Sequence, residues 1–214
     1  GSAVDGWKYR HVVQDSVDYL AFGQNDAGWP RGGWGYIENH TGWSDNSNTG
    51  YAVLGLGYAQ APPPAGFGLT VPDFVKNELD VWIEYIQNKD GIGTTIDPIG
   101  GSGYDDPHTW INILKTGHLL YEMWFVGDTA TTPRVIAAIN YLVRHWADAN
   151  DDPGWRGSPA SYQAMYTTMK GLRAFGIEEI DGIDWQADFE GVLIAQQLGD
   201  GSWPSCDWDT GDSI

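Results

Sequence analysis

A Gly-Trp turn that returns between helical stretches constrains this chain more than any other feature. It stands at Asp26-Ala-Gly-Trp29, Gly32-Gly-Trp-Gly-Tyr36, Asp152-Pro-Gly-Trp155 and Gly199-Asp-Gly-Ser-Trp-Pro204, with a weaker copy at Lys89-Asp-Gly-Ile-Gly93. Self-similarity at a period of a few tens of residues marks a repeat architecture. Each repeat is then a supersecondary unit that buries its apolar face by stacking on its neighbours.

The apolar spacing between turns is helical. Val13, Val17 and Leu20 mark a helix from about Val12 to Gln24, and Ala52, Val53 and Leu56 mark a second from Thr49 to Tyr58. The run Ala61-Pro-Pro-Pro-Ala-Gly66 ends that unit. The next pair runs from Phe74 through Leu79, Trp82 and Ile86, and from Trp110 to Val126 with a stop at Gly127. A third runs from Pro133 to Trp146 and from Ser161 to Phe175, stopped at Gly176. A fourth opens near Trp185. Gln24-Asn25, Gln87-Asn88 and Gln196-Gln197 each close a first helix just before its turn. Asn48-Thr-Gly-Tyr51 and Lys115-Thr-Gly-His118 open second helices 67 residues apart.

Strand signals are nearly absent. The expected fold is therefore all-α: one domain over residues 3–214, with units at about 11–60, 72–127, 132–177 and 183–214 and sequential helices alternating between an outer and an inner layer. Gly1-Ser2 reads as an expression remnant. The fourth unit has one helix where the others have two, so the chain reads as a fragment of a longer one. An unpaired last helix exposes an apolar flank, to be covered by the remainder of the chain or by a protein partner.

Twenty-nine acidic against 11 basic side chains give a net charge of −18. Nucleic acid is excluded as a partner by the want of a basic patch. No stretch reaches the roughly 18 to 20 apolar residues of a membrane span. Cys206 is the lone cysteine, so an intrachain disulfide and thiolate metal clusters are excluded. The acidity and the acceptor triplet Asn39-His40-Thr41 point to an extracellular or cell-surface setting. Twelve tryptophans are the compositional outlier. They serve either as wedges between units or as the lining of a ligand cavity.

The segment Val192-Leu-Ile-Ala-Gln-Gln-Leu-Gly-Asp-Gly-Ser-Trp203 resembles the Gln-Trp repeat of the squalene cyclase and protein prenyltransferase superfamily, with Gln197, Gly201 and Trp203 in the motif positions. Gly33-Trp-Gly-Tyr36 followed by Ser44-Asp-Asn-Ser-Asn-Thr-Gly-Tyr-Ala-Val-Leu-Gly-Leu56 resembles its second half, and Ser161-Tyr-Gln-Ala-Met-Tyr-Thr-Thr-Met169 is a looser copy. The resemblance implies a partial (α/α) toroid of helical hairpins, open or truncated, whose inner helices surround a cavity. It also raises class II terpene cyclase chemistry, in which an Asp of an Asp-x-Asp-Asp motif protonates an alkene. Asp207 and Asp209 come nearest to that role, although Thr210 stands where the motif needs Asp. The zinc pattern of the prenyltransferases fails, because Pro204 occupies the Asp position before Cys206.

Parallel inner helices put their N-termini at one end of the repeat, and polar residues gather there: Asp45 and Asn48 in the first unit; Asp105, Asp106 and His108 in the second; Ser158 and Ser161 in the third; Asp207, Asp209 and Asp212 in the fourth. Such residues are preferred helix caps, because a side-chain oxygen accepts an otherwise unpaired backbone N–H. They also make a rim for a pocket. Asp207, Asp209 and Asp212 have the oxygen density for Ca²⁺ without the full loop pattern of an EF-hand. No other cofactor is indicated. Trp34, Tyr36, Tyr104, Trp155 and Tyr162 are the aromatic candidates for the lining. These readings converge on a binding domain for a small apolar or glycan ligand. The alternative is an enzyme, either a terpene cyclase relative or an α/α-toroid polysaccharide-active enzyme.

Overall fold

Seven helices account for nearly all the regular structure among the described residues, which are 5–40, 42–150 and 153–205 of a computed structural model. They are α1 (Tyr9–Gly23), α2 (Asn46–Gln60), α3 (Asp73–Ile86), α4 (Ile113–Val126), α5 (Pro133–His145), α6 (Tyr162–Ala174) and α7 (Trp185–Gln196). Two two-residue strands, β1 (Ala149–Asn150) and β2 (Pro153–Gly154), pair in parallel inside the third turn. The chain is thus all-α, as its periodicity requires.

Every first and second helix of the sequence pattern is present, with shifts at the N-termini. α2 begins three residues before Thr49, because Asp45 caps it by accepting from the N–H groups of Ser47 and Asn48. α4 begins three residues after Trp110, whose φ of 51° is left-handed, and Asn112 is its cap. Ser161 caps α6 and Asp184 caps α7.

α2, α4 and α6 lie side by side and parallel, with α4 in the middle. Glycines set the spacing. A Cβ on Gly50 or Gly57 of α2 would strike the His118 ring or the Tyr121 hydroxyl of α4. One on Gly117 of α4 would strike the backbone of α6 at Thr167 and Thr168, and one on Gly171 of α6 would strike Leu120. Contacts that advance together along both helices require parallel neighbours. α3 and α5 also pack on α4, and α1 packs on α2. The core between the layers holds Val53, Leu56, Leu79, Trp82, Ile83, Leu119, Leu120, Tyr141 and Leu142, all essentially inaccessible.

The turns repeat in hydrogen-bond detail. Asn25 donates its N–H to Gly33 and receives that of Gly32; Asn88 does the same with Gly101 and Gly100. Trp34 and Ser102 then each donate N–H to a threonine hydroxyl, Thr49 or Thr116, one turn into the inner helix. The counterpart of Gly32-Gly-Trp-Gly-Tyr36 is therefore Gly100-Gly-Ser-Gly-Tyr104. Lys89-Asp-Gly-Ile-Gly93 matches the earlier Asp26-Ala-Gly-Trp29 segment, and Gly28, Gly91 and Gly201 share positive φ at the same point of their units. In the third unit the N-cap Ser161 donates its N–H to Trp155, as Asp45 does to Trp34.

Candidate functional site

α2, α4 and α6 present their N-terminal ends to one cavity of about 460 Å³. α2 supplies Ser47 and Tyr51; α4 and its approach supply Trp110, Ile111, Asn112, Leu114 and Lys115; α6 supplies Gln163; the turns add Tyr36, Thr95 and Tyr104. Asn46, fully buried, fixes this geometry. Its backbone N–H donates to the Tyr104 carbonyl at 2.7 Å, and its side-chain amide donates to Ser102 Oγ (2.8 Å) and to the Lys115 carbonyl (2.9 Å). The Trp82 indole donates to its oxygen at 2.9 Å. One amide thereby locks α2, α3, α4 and the second turn together.

Rings form the wall. Tyr36 stacks on Trp43 at 5.5 Å between centroids, Trp43 lies 6.4 Å from Tyr104, and Tyr104 meets Trp110 edge-on at 5.7 Å. Tyr36 is 73% exposed and Trp110 58%. A bulky side chain in the left-handed region is strained and persists only where surrounding structure enforces it, commonly at ligand clamps. Lys115 is buried, with its ammonium 5.8 Å from the centre of the Tyr104 ring. Burial and the Tyr36 hydroxyl push the Tyr104 phenol well above its ordinary range, so it stays a neutral donor.

Below the cavity a trough of tyrosines continues between α2 and α6. Tyr58 follows Tyr51 by two turns on α2, and Lys170 follows Tyr166 by one turn on α6. The Lys170 ammonium donates to the Tyr58 hydroxyl and stands over the rings of Tyr58 (4.9 Å) and Tyr166 (5.4 Å). Side chains of α2 and α6 thus meet across α4. Tyr121 of α4 is the buried floor; burial and the neighbouring Tyr58 and Tyr166 raise its phenol to about 12.

Behind this face α4 carries two fully buried titratable groups one turn apart, His118 and Glu122, whose polar side-chain atoms have no hydrogen-bond partner. Burial, with Lys115 adding to it, lowers His118 to about 3. Burial, with Asp45 adding to it, raises Glu122 well above the carboxylate range. In both, burial disfavours the charged form.

The sequence-predicted residues separate. Tyr36 and Tyr104 line the cavity. Asp45 and Asn48 act at its edge as a cap: the Asp45 carboxylate accepts from the N–H and hydroxyl of Ser47 and from the N–H and amide of Asn48. Trp34 and Trp155 are buried wedges, not lining. The Trp34 indole donates to Leu20, and Trp155 packs between Trp146 and Phe189. Asp105 accepts from the Trp43 indole. Asp106 and His108 belong to a separate open cavity of about 580 Å³, where His108 also bonds Asp90 at 3.2 Å. Burial acts to raise Asp106, but bonds from Thr109 and the His108 backbone outweigh it and hold its carboxyl low. Tyr162 bonds Gln196 and lines a third, apolar groove between α6 and α7. Asp207, Asp209 and Asp212 lie outside the described residues. Among the described residues no group of three or more His, Cys, Asp or Glu is placed to hold a metal ion.

Lys115, Lys170, Thr95 and Gln163 were not flagged by the sequence patterns. A signal for Lys115 existed, since it stands three residues after a capping Asn112 and so falls at the mouth. Lys170 had none. No helix among the described residues is long and apolar enough to cross a membrane. The chain matches no protein-family model and no curated protein.

Proposed function

We propose that the chain is a binding domain, built as part of an (α/α) toroid, whose cavity at the N-termini of α2, α4 and α6 holds a sugar. The observation that carries this reading is the exposed Trp110 ring, held at positive φ beside Tyr104 over a lining of hydroxyl and amide groups from Ser47, Asn112, Thr95 and Gln163. Flat rings cover the C–H faces of a sugar while fixed polar groups meet its hydroxyls. The fixed hydroxyl, amide and ammonium groups among the rings favour a sugar over a wholly apolar ligand. A terpene cyclase needs a dry pocket for a carbocation, and a buried ammonium such as that of Lys115 would repel that charge. An array of neutral and acidic oligosaccharides, run beside a panel of polyprenoids, tests the reading. Saturable sugar binding that Trp110→Ala weakens by about tenfold or more, the scale of one lost stacking contact, supports it. Binding or turnover of polyprenoids without sugar binding overturns it.

A further inference from the structure

The charges in the trough run opposite to those of the chain. The side chains lining the cavity include one ammonium, Lys115, and no carboxylate. Two turns further along α6 lies a second ammonium, Lys170, half-buried between tyrosines. Five cations elsewhere are paired with carboxylates: Arg31 with Glu78, Lys89 with Glu84, Arg134 with Asp80 and Asp128, Arg144 with Asp97, and Arg156 with Asp188. Lys170 is directed instead at the Tyr58 hydroxyl and two ring faces. Of the carboxylates near the mouth, Asp45 is taken up by four donors of its own helix end, and Asp105 accepts from the Trp43 indole. In a chain of net charge −18, this face keeps a positive charge at Lys170 that pairs with no carboxylate among the described residues.

We propose that the trough takes an acidic oligosaccharide, a sugar chain bearing carboxylate or sulfate groups, with Lys170 meeting a negative group at its inner end. The inference rests on the sugar-binding reading of the same cavity and narrows it. The ammonium exchanges a neutral phenol for an anion, and a charge-assisted bond of that kind is roughly twice as strong as a neutral one. Lys115 adds positive charge at the mouth whatever else it touches. The net charge opposes an anion at long range, but a Debye length of about 8 Å at physiological ionic strength confines that opposition. Gln163 at the mouth and Lys170 are seven residues apart, about 10 Å along a helix at 1.5 Å per residue. A single ring does not span that distance, so the selection for charge belongs to chains and not to monosaccharides.

Calorimetric titration of galacturonate monomer, its tetramer, the fully methyl-esterified tetramer and a dextran sulfate oligomer tests this on the unaltered protein, K170Q and K170R. The acid tetramer is expected to bind about tenfold or more tighter than its ester, as one charge-assisted bond allows. In K170Q that ratio collapses toward one, and in K170R it is retained. The monomer shows no dependence on residue 170. A preference for dextran sulfate over the uronate assigns the anion as sulfate and leaves the inference standing. Ester bound as tightly as acid, or a ratio unchanged in K170Q, overturns the inference while the sugar reading survives. If no sugar binds, the sugar reading falls and this one with it.

Discussion

Gln24, Gln87 and Trp146 stand at the same point of the repeat, one residue past the end of an outer helix, yet they join their units by different chemistry. Gln24 donates its amide to the Gly32 carbonyl of its own turn and to Val75 in the first turn of α3. Gln87 donates to Gly100 and to Arg134 in the first turn of α5. Trp146 instead donates its indole to Asp188 in the first turn of α7, at 2.7 Å, and stacks on Phe189 at 5.2 Å. Arg156 pairs with the same carboxylate and lies over the Trp155 ring. The first two junctions are built from backbone carbonyls approached closely, and the third from large rings. A repeat therefore tolerates exchange of its joining chemistry as long as one donor reaches the next outer helix.

Close approach is the more fragile device. Gly32 and Gly100 have positive φ, and a Cβ there would lie 2.0 Å from the Glu78 carbonyl oxygen or 2.2 Å from that of Ala137, backbone that cannot yield. Gly91 also has positive φ, but a Cβ on it would meet nothing. Gly100→Ala should cost about 3–5 kcal/mol, the left-handed penalty plus overpacking, against about 1–2 for Gly91→Ala. Urea midpoints give both values, and equal costs would remove close approach as the basis of these junctions. Next comes Trp146→Ala at about 3–5 kcal/mol, from the loss of a buried ring. Gln87→Ala follows at about 1–3 kcal/mol, from unpairing two carbonyls. If the order of these two were reversed, the ring junction would be the weaker one.

How much of this was legible in the sequence follows from which residues act locally. The glutamines were visible because they sit at a fixed offset from a helix end and a turn glycine. The caps Asp45 and Ser161 were visible because capping needs only neighbours in sequence. The fates of Trp34 and Tyr36 could not be separated, because two residues of one turn enter the core and the mouth according to what α2 and α4 place beyond them. Trp110 reads as the first residue of a helix; only its left-handed backbone, set by the turn that also positions Tyr104, takes it out of α4. Lys170 is invisible for the same reason. Its partner Tyr58 is 112 residues away and is brought to it by the packing of three helices.

The smallest expected effect tests whether the two kinds of junction unfold as one unit. α4 packs on α2 and α3 on one side and on α5 and α6 on the other, so both kinds lean on it. Glu122 in its centre has a folded pKa raised above the ordinary 4.5. The folded state keeps a proton that the unfolded chain gives up, so stability from this group is full below about pH 4.5 and declines as pH rises toward the folded pKa. His118 acts in the opposite sense over a different window. Its pKa falls from 6.5 to about 3, so its neutral form costs stability only as pH drops below 6.5. Between the ordinary carboxylate pKa and the raised folded one, the Glu122 slope is up to about 1.4 kcal/mol per pH unit. Glu122→Gln removes that slope and leaves His118 common to both proteins, so the difference between variant and parent should grow in the variant's favour as pH rises from about 4.5 toward the folded pKa of Glu122. Thermal melts followed by near-ultraviolet circular dichroism, which reports the tryptophans of both halves, should show this as the shift of a single transition. Two transitions, with only one moving, would mean that the amide-tied units and the ring-wedged units are separate cooperative blocks. A flat difference would mean that the unfolded chain shields Glu122 as the fold does.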